Sequence, residues 1–409
     1  MWQTFYTSLR VCGRISEKRW RMRIVDLEWE KRVLKFRNPV HTPLTTLYER
    51  PLILVRVCTD TKISGYGEIV SFDTSWYMKE TLRNDVRALP FIREVLVGKV
   101  VAHPSHIDSI ISMPQTESLP IARSGVEMAV WDAYAREQND SLAQIIQYYY
   151  ASLTRQDFSR YIPPSVPGGA VVGLMNKRDL VYKIDSLVRR GYRRIKVKVS
   201  PEYGFTPLAK VCEEFPGLVI SADANRSFSV RDFFRASREV GDIDNLGLSC
   251  IEEPLKREDN ADLSSFIDSL DEFQQHYATP VCIDESWNTI EDIIAFLRSD
   301  NIRCFALKAS KLGGIARTLE AMNLISSCGG TYWMGGMYDA GISKSVHGAL
   351  ASLEGNMMPA DISSSGEYFT DDVCHPPFDV DPRACERSWC HASWAHMHLD
   401  GVGCGYEWH

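Results

Sequence analysis

The sequence lacks any long apolar segment. No run approaches the ~20 residues that span a bilayer, and the first residues, "MWQTFYTSLRVCGRISEKRWRM", contain no extended apolar core of the kind found in signal peptides. A basic excess is also missing, since 46 Lys and Arg face 53 Asp and Glu for a net charge of −7. We therefore expect no membrane span, no secretion and no nucleic-acid partner.

Two catalytic motifs are absent as well: there is no GxSxG and no P-loop. Cysteine, by contrast, is plentiful, with 11 in 409 residues. An odd number of cysteines in a large chain without an export signal predicts reduced thiols in a cytoplasm. Cys250 and Cys282 stand two residues before Glu252 and Asp284, and we interpret them as small buried core residues on the same inward face.

The pattern along the chain predicts two folded parts. Residues 1–21 carry five Lys or Arg and one Glu, which is typical of a mobile tail. An alternating pattern from Met22 predicts an antiparallel meander and then helices over 22–160, an α+β domain. A proline-rich stretch, "YIPPSVPGG", opens a βα rhythm of seven or eight units over 161–374. Residues 375–409 lack this rhythm and are expected to return to the first domain.

Five charged residues recur at the ends of short apolar runs in the βα region. The acids Asp223, Glu252 and Asp284 are flanked by Lys198 and Lys308, at intervals of 24 to 32 residues. Each interval fits one strand–helix–strand repeat, so the five groups should stand at the ends of five successive parallel strands. The fold class predicted is therefore α/β, a TIM-type (β/α)7–8 barrel with a smaller α+β domain, and its chemistry should gather at the C-terminal strand ends.

The two lysines of "IKVKV" share one strand face because they are two residues apart. A solvated basic face is the common role of such a pair, since lysine is usually exposed. Their place before "SADAN" on the next strand favours the barrel mouth instead. There, repulsion between Lys196 and Lys198 would let one of them be neutral near pH 7 and act as a base.

Each acid alone could be a helix N-cap or a solvated loop residue. Three acids at the same place on three successive strands instead favour a divalent metal site. Oxygen-only ligation selects Mg²⁺ or Mn²⁺ and leaves coordination positions for a substrate. The metal would act as a Lewis acid on a small-molecule carboxylate and stabilise the enediolate formed when a lysine removes the α-proton.

The motifs "IKVKV", "DAN", "EEP", "DES" and "LKASKLGGI" together resemble the enolase superfamily, in its muconate-lactonizing subgroup. "GYGE", "GVEMAVWDA" and "GVGCGYE" extend the resemblance over nearly the whole chain from Met22. The stretch "WMGGMYDAGISKSVHGALASLEGNMMPADISSSGEYFTDDV" resembles the o-succinylbenzoate synthase and N-succinylamino acid racemase branch.

The resemblance implies roles for the charged residues. Mg²⁺, with Mn²⁺ a possible substitute, would be bound by Asp223, Glu252 and Asp284. Lys198 would be the base, Lys308 would face it across the substrate, and Lys196 would tune Lys198. Substrate binding or support of the catalytic groups would fall to Asn225, Glu285, Gly336 and Met337. The smaller domain would cap the barrel, with the loop around "PVHTPLTTLYER" closing over the substrate.

The chain departs from the branch at a few positions. It has Asp339 where Glu is usual, Lys311 where Arg is usual, Ser343-Lys344 for Gly-Arg and Ala360 for Gly. None is expected to touch the metal or base positions, so the chemistry should survive while substrate choice is open.

The resemblance implies an enzyme, and dehydration to o-succinylbenzoate on the route to menaquinone is the first expectation. The same two lysines would also serve racemisation of N-succinylamino acids, and the sequence does not separate these reactions. A metal-stabilised scaffold without catalysis is the non-enzyme alternative, disfavoured because such a buried constellation is costly to keep. The sequence leaves a homo-oligomer open.

Overall fold

A computed structural model describes residues 21–155, 165–258, 262–381, 396–399 and 401–408. The predicted mobile tail, apart from Arg21, and the predicted linker residues 161–164 lie outside the described residues. The domain boundaries therefore stay a prediction. Among the residues described, no helix is both long and apolar enough to span a bilayer.

The first part of the chain forms an antiparallel sheet, as its alternating pattern predicts. Its strands follow the order β3-β2-β1-β4, with the bounds β1 (Met22–His41), β2 (Thr46–Thr59), β3 (Ser64–Ile69) and β4 (Val100–Val101). The helices that accompany this sheet are α1 (Leu82–Leu96), α2 (Ile107–Ile111), α3 (Pro120–Gln138) and α4 (Leu142–Thr154).

Helix α3 lies directly against β3 and is almost wholly buried. Glycine makes this close approach possible, because a Cβ added at Gly67 would stand 2.0 Å from the carbonyl oxygen of Gly125. The "GYGE" strand and the "GVEMAVWDA" helix thus meet backbone to backbone, which any larger side chain at Gly67 would prevent.

The second part of the chain is the predicted barrel, and the α/β fold class is confirmed. After a short strand β5 (Ser165–Pro167), seven parallel strands follow in consecutive order. These strands are β6 (Ala170–Val172), β7 (Arg194–Lys198), β8 (Val219–Asp223), β9 (Ile251–Glu252), β10 (Val281–Ile283), β11 (Cys304–Leu307) and β12 (Thr331–Met334).

Helices alternate with these strands and cover the outside of the sheet. Their bounds are α5 (Lys177–Arg189), α6 (Thr206–Glu214), α7 (Val230–Glu239), α8 (Leu263–Gln274), α9 (Ile290–Leu297), α10 (Ala309–Leu312), α11 (Ile315–Ser327) and α12 (Gly341–Ala351). This alternation explains why the apolar runs of the sequence are spaced as they are.

An irregular segment, 356–362, joins the two ends of the parallel sheet. The N–H of Asp361 donates to the carbonyl of Met334 on β12 (2.9 Å), and the N–H of Gly169 donates to the carbonyl of Ala360 (2.8 Å). The segment therefore takes the eighth position, and the barrel is closed.

Two buried glutamates of the first part cap helices of the barrel. Glu68 accepts the N–H groups of Ala340 (3.1 Å) and Ile342 (2.8 Å) at the start of α12. Glu127 accepts the N–H groups of Ile315 and Ala316 at the start of α11. A carboxylate at a helix N-terminus is stabilised by the free amides and the helix dipole, so these contacts fix the two parts together.

The last described residues contact both parts of the molecule. Strand β14 (His396–His398) pairs with β5, and β15 (Glu407–Trp408) pairs with β13 (Cys374–His375). The N–H of Cys404 donates to Asp132 on α3 at 2.6 Å. The end of the chain thus packs against the first sheet's principal helix.

Candidate active site

The charged residues predicted at strand ends lie together at the C-terminal mouth of the barrel. Strands β7, β8 and β9 end at Lys198, Asp223 and Glu252, while Asp284 and Lys308 directly follow β10 and β11. None of the five is more than 8% exposed. The structure therefore brings the predicted constellation into one buried site.

Lys196 lies deepest in this group. Its Nζ is 3.1 and 3.2 Å from the two carboxylate oxygens of Glu252, 2.9 Å from Oδ2 of Asp361 and 3.4 Å from Oδ2 of Asp223. Both lysines of the strand point into the barrel, as their spacing predicts. Lys196 thus neutralises the acids from below.

Lys198 lies nearer the mouth. Its Nζ donates to Oδ2 of Asp223 at 2.9 Å and to Oδ1 of Asn225 at 2.5 Å. The amide of Asn225 in turn donates to Glu285 at 2.6 Å. Asn225 lies beyond the strand with a φ of 43°, so it is a turn residue and not part of the alternating face. Asn225 and Glu285 therefore hold Lys198 in place.

Lys308 approaches from the opposite wall. In the consecutive strand order, β11 lies four positions from β7. The Nζ of Lys308 donates to Asp284 and to the hydroxyl of Tyr77. This hydroxyl donates to the other oxygen of Asp284 at 3.1 Å. Tyr77 comes from the first part of the chain, so both parts build the site.

The main chain at Asp284 is fixed from two sides. Glu253 accepts the N–H of Asp284 at 2.8 Å, and Lys311 donates to the carbonyl oxygens of Asp284 and Trp287, each at 2.6 Å. The expectation that the departure at Lys311 leaves the metal positions untouched is wrong. The short helix α10 carries Lys311 back under the end of β10, a return that a sequence interval does not reveal.

Burial and mutual repulsion give the acids different affinities for protons. Burial and the charge of Asp223 raise the pKa of Glu252 well above its ordinary value. Burial also opposes ionisation of Asp223 and Asp284, but the lysines around each acid, led by Lys198 for Asp223 and by Lys308 for Asp284, together outweigh burial and lower both pKa values. Three such carboxyls in a desolvated site are stable together only beside positive charge.

The lysines differ from the sequence-based expectation. Burial is the largest single effect and lowers the pKa of Lys198, but the charge of Asp223, its hydrogen bond to the lysine and a contribution from Tyr338 together outweigh burial, so the pKa is raised overall. The pKa of Lys308 is raised in the same way by Asp284. Repulsion from Lys196 is present but is outweighed, so the predicted neutral lysine does not follow from lysine–lysine repulsion alone.

The donor set fits a hard divalent cation. Three buried carboxylates converge from adjacent strands, and burial and the charges of Asp223 and Asp284 raise the pKa of Glu252, a repulsion that a bound cation would relieve. Their oxygen atoms are not gathered as tightly as a bound ion requires; among the residues described, only a cysteine group has its ligand atoms all within 4.8 Å. The reason is that each carboxylate turns toward a lysine. A cation that replaced these contacts would also release Lys198 from Asp223.

A pocket opens above the charged groups. The predicted residues Gly336 and Met337 line it, next to Tyr338 and Asp339 on the same loop. A Cβ at Gly336 would stand 2.8 Å from the carboxylate of Asp339, which itself accepts the N–H of Met337 at 2.8 Å. Further lining residues are Thr42, Phe72, Trp76, Tyr77, Val171, Lys344 and Tyr368.

Tyr77 and Asp361 contact the predicted lysines but are absent from the sequence-based set. Asp361 follows the apolar end of the last βα unit, in "MMPADISSS", so the same strand-end pattern could have found it. Tyr77 lies in the loop "SFDTSWYMKE", which has no period. Its only sequence signal is an aromatic pair, Trp76–Tyr77, in a polar loop.

The chain is similar to known proteins over most of its length. Residues 25–146 match the mandelate racemase/muconate lactonizing enzyme N-terminal domain, and residues 179–388 match the enolase C-terminal domain-like family. The o-succinylbenzoate synthase of Bacillus subtilis is 30% identical, covering 85% of this chain and 87% of its own length. An N-succinylamino acid racemase of Thermus thermophilus is 28% identical, covering 86% and 87%.

A solved structure shares the fold at lower identity. The dipeptide epimerase of Enterococcus faecalis, determined with Mg and the dipeptide L-Leu-L-Tyr, is 16% identical with a TM-score of 0.77, covering 94% of this chain and 99% of that one. The barrel, the strand-end acids and lysines and these similarities agree: the chain belongs to the enolase superfamily, in the o-succinylbenzoate synthase/N-succinylamino acid racemase branch.

Proposed function

We propose that this protein is an o-succinylbenzoate synthase, which removes water from a succinyl-hydroxycyclohexadiene carboxylate through an enediolate. The observation that carries the proposal is the placement of Lys198 and Lys308 on opposite walls of one buried mouth. The 30% identity to the Bacillus subtilis synthase supports this reaction. With this reaction, we assign the protein to menaquinone biosynthesis.

In this proposal, the two lysines have different catalytic roles. Lys198 removes the proton α to the substrate carboxylate and then, as the conjugate acid, returns a proton to the departing hydroxyl. Lys308 keeps its positive charge beside the enediolate, where a fixed charge in a dry site stabilises the transition state. Bound Mg²⁺, held by Asp223, Glu252 and Asp284, would supply Lewis-acid stabilisation of the substrate carboxylate.

Racemisation of N-succinylamino acids is the second candidate. It is favoured by the same opposed lysines, because a 1,1-proton transfer needs one acid–base group on each face of the α-carbon. The similarity to the Thermus thermophilus racemase also supports it. In that reaction Lys308 exchanges protons, whereas in the dehydration it contributes only charge.

The two reactions are separated by proton exchange. We would follow α-proton exchange in D₂O for each enantiomer of an N-succinylamino acid, beside turnover of the dehydration substrate. Lys198→Ala should abolish dehydration, and Lys308→Arg, which keeps the charge, should retain a trace. Efficient racemisation with negligible dehydration would overturn the first choice, and dehydration at the wild-type rate by Lys198→Ala would exclude both.

The metal site can be tested without relying on turnover. Asp223→Asn should remain folded but lose bound Mg²⁺ or Mn²⁺, measured by equilibrium dialysis and by the metal-dependent rise in melting temperature. Asp232→Asn, on the outer helix α7, is a matched control and should bind metal normally. Full activity after exhaustive chelation would contradict the metal assignment.

A further inference from the structure

Three cysteines form a compact group in the barrel interior, below the charged mouth. The Sγ atoms of Cys250, Cys282 and Cys304 all lie within 4.8 Å of one another. Each is a free thiol, and none is more than 3% exposed. They lie on or beside three adjacent strands, β9, β10 and β11, two or more residues before the charged mouth. The cysteine group is thus a layer of the barrel interior below the candidate active site.

The surroundings of the group are apolar and closed. Ala306, Trp333 and Met358 pack with the three cysteines in one buried cluster. The indole Nε1 of Trp333 lies 3.4 Å from Sγ of Cys282 and donates to it. An ion held here would have sulfur as its ligands, since no carboxylate or imidazole of the described residues joins the three thiols within 4.8 Å.

A fourth sulfur connects the group to the surface. The Sδ of Met357 lies 3.4 Å from Sγ of Cys304, and Met357 is 36% exposed. The thioether therefore offers an ion a path from solvent to the buried thiols. Zinc prefers four tetrahedral ligands of the thiolate or imidazole kind, whereas a set of thiols with a thioether selects Cu(I).

Two buried cations lie beyond Trp333, and both already pair with carboxylates: Arg194 with Asp361, and Lys196 with Glu252, Asp361 and Asp223. The guanidinium of Arg194 lies 4.2 Å from the centre of the Trp333 ring, and Nζ of Lys196 lies 5.0 Å from it. Trp333 thus separates the sulfur layer from two buried cations. Coordination would transfer the thiol protons to solvent, and the remaining negative charge would face these cations.

We propose that Cys250, Cys282 and Cys304 form a site for one soft monovalent d¹⁰ ion, Cu(I), with Met357 at its entrance. The test does not depend on the function proposed above, because none of the sulfur ligands is a residue of the candidate active site.

The test is an anaerobic titration of the full chain with Cu(I) in the presence of the chromophoric chelator bicinchoninate. The wild type should withdraw one equivalent of Cu(I) from the chelator, and Cys250→Ala/Cys282→Ala/Cys304→Ala should lose that equivalent. Two matched triples remove as many thiols elsewhere: Cys58→Ala/Cys212→Ala/Cys328→Ala and Cys12→Ala/Cys385→Ala/Cys390→Ala. Both should keep it.

X-ray absorption of the wild-type protein loaded with one equivalent of Cu(I) keeps the proposal testable if the core triple fails to fold. A first shell of three or four sulfurs, with no nitrogen or oxygen, is expected. A shell containing nitrogen or oxygen, no tight equivalent in the wild type, or loss of the equivalent in either matched triple would overturn the proposal.

Discussion

At the scale of single residues, Tyr77 ties the smaller part of the protein to the chemistry of the barrel. Its buried hydroxyl accepts from Lys308 and donates to Asp284. Burial, and next the charge of Asp284, raise the pKa of Tyr77 well above its ordinary value, so the phenol stays protonated. A neutral donor in this position orients Lys308 without competing for its charge.

Tyr77→Phe removes these hydrogen bonds while keeping the ring. We expect kcat/KM of the proposed reaction to fall ~10-fold or more, since hydrogen bonds to charged groups contribute about 1.5–3 kcal/mol. Tyr182→Phe, at a tyrosine on helix α5 that is 78% exposed, is the control and should leave kcat/KM unchanged. Steady-state kinetics of both variants are the measurement. Equal kcat/KM values for the two variants would show that Tyr77 does not orient Lys308.

The sequence predicts the charged residues of the site better than their supports. Five apolar runs of the barrel end in a charged residue: Lys198, Asp223, Glu252, Asp284 and Lys308. A charged residue at the C-terminal end of a barrel strand lies at the mouth, so the pattern alone predicts its position. Supports such as Asn225 and Lys311 reach the site through local turns. Their positions depend on backbone angles and on a short helix, which residue spacing does not encode.

At the scale of secondary-structure elements, a pair of buried acids joins α1 to α3. Glu80 accepts the N–H groups of Ile121 (3.0 Å) and Ala122 (2.9 Å) at the start of α3. Its neighbour Asp85, on α1, is fully buried. Among the described residues, no N–H group donates a hydrogen bond to either carboxyl oxygen of Asp85. The two carboxyls are satisfied when they share a proton.

This pair should make the protein less stable as pH rises. Burial raises the pKa of Glu80 well above its ordinary value and that of Asp85 to about 6, from an ordinary value of 3.8, so Asp85 loses its proton first and Glu80 keeps the shared one. The folded state therefore keeps a proton that the unfolded state releases. The contribution is complete below pH 3.8 and is lost as pH rises through about 6.

Asp85→Asn replaces the carboxyl that ionises near pH 6 by a neutral amide at every pH. We expect its free energy of unfolding at pH 8 to exceed that of the wild type by on the order of 1–3 kcal/mol, with little difference near pH 4. Asp268→Asn, on the outer helix α8, is the control. Urea unfolding at both pH values is the measurement, and an equal effect at pH 4 and 8 would refute the raised pKa of Asp85.

Element positions follow the sequence pattern more closely than element lengths do. The interval between acids locates β8, β9 and β10, yet β9 contains only Ile251 and Glu252 as strand residues. Its length is limited by how its neighbours twist around the barrel. That constraint comes from closure of the whole sheet, so the residues around each acid do not determine it.

At the scale of the whole molecule, Arg50 joins the two parts. This fully buried side chain donates to the carbonyls of Met337 and Tyr338, each at 3.2 Å, and of Ser71 at 2.9 Å. It therefore links residues 336–339, the pocket loop of the barrel, to the chain segment that leads to Tyr77. A guanidinium has five donors in a fixed plane, which a lysine cannot reproduce.

Arg50→Lys should cost about 3 kcal/mol or more in the free energy of unfolding, because several buried carbonyls lose their donor. The KM for the carboxylate substrate should rise as well, since the pocket loop loses its fixed position. Arg189→Lys, at a side chain that is 78% exposed, is the control. Chemical unfolding and steady-state kinetics test both parts, and stability equal to that of the control would contradict the linking role.

Closure of the barrel by segment 356–362 has a consequence for folding. The segment joins β6 to β12 across almost the entire barrel sequence, a contact of high loop-closure cost that slows folding. Until it forms, both strands have open edges on which a second chain can pair. Refolding yield should therefore fall steeply with protein concentration, and synthesis of the barrel remains exposed to aggregation until these late residues leave the ribosome.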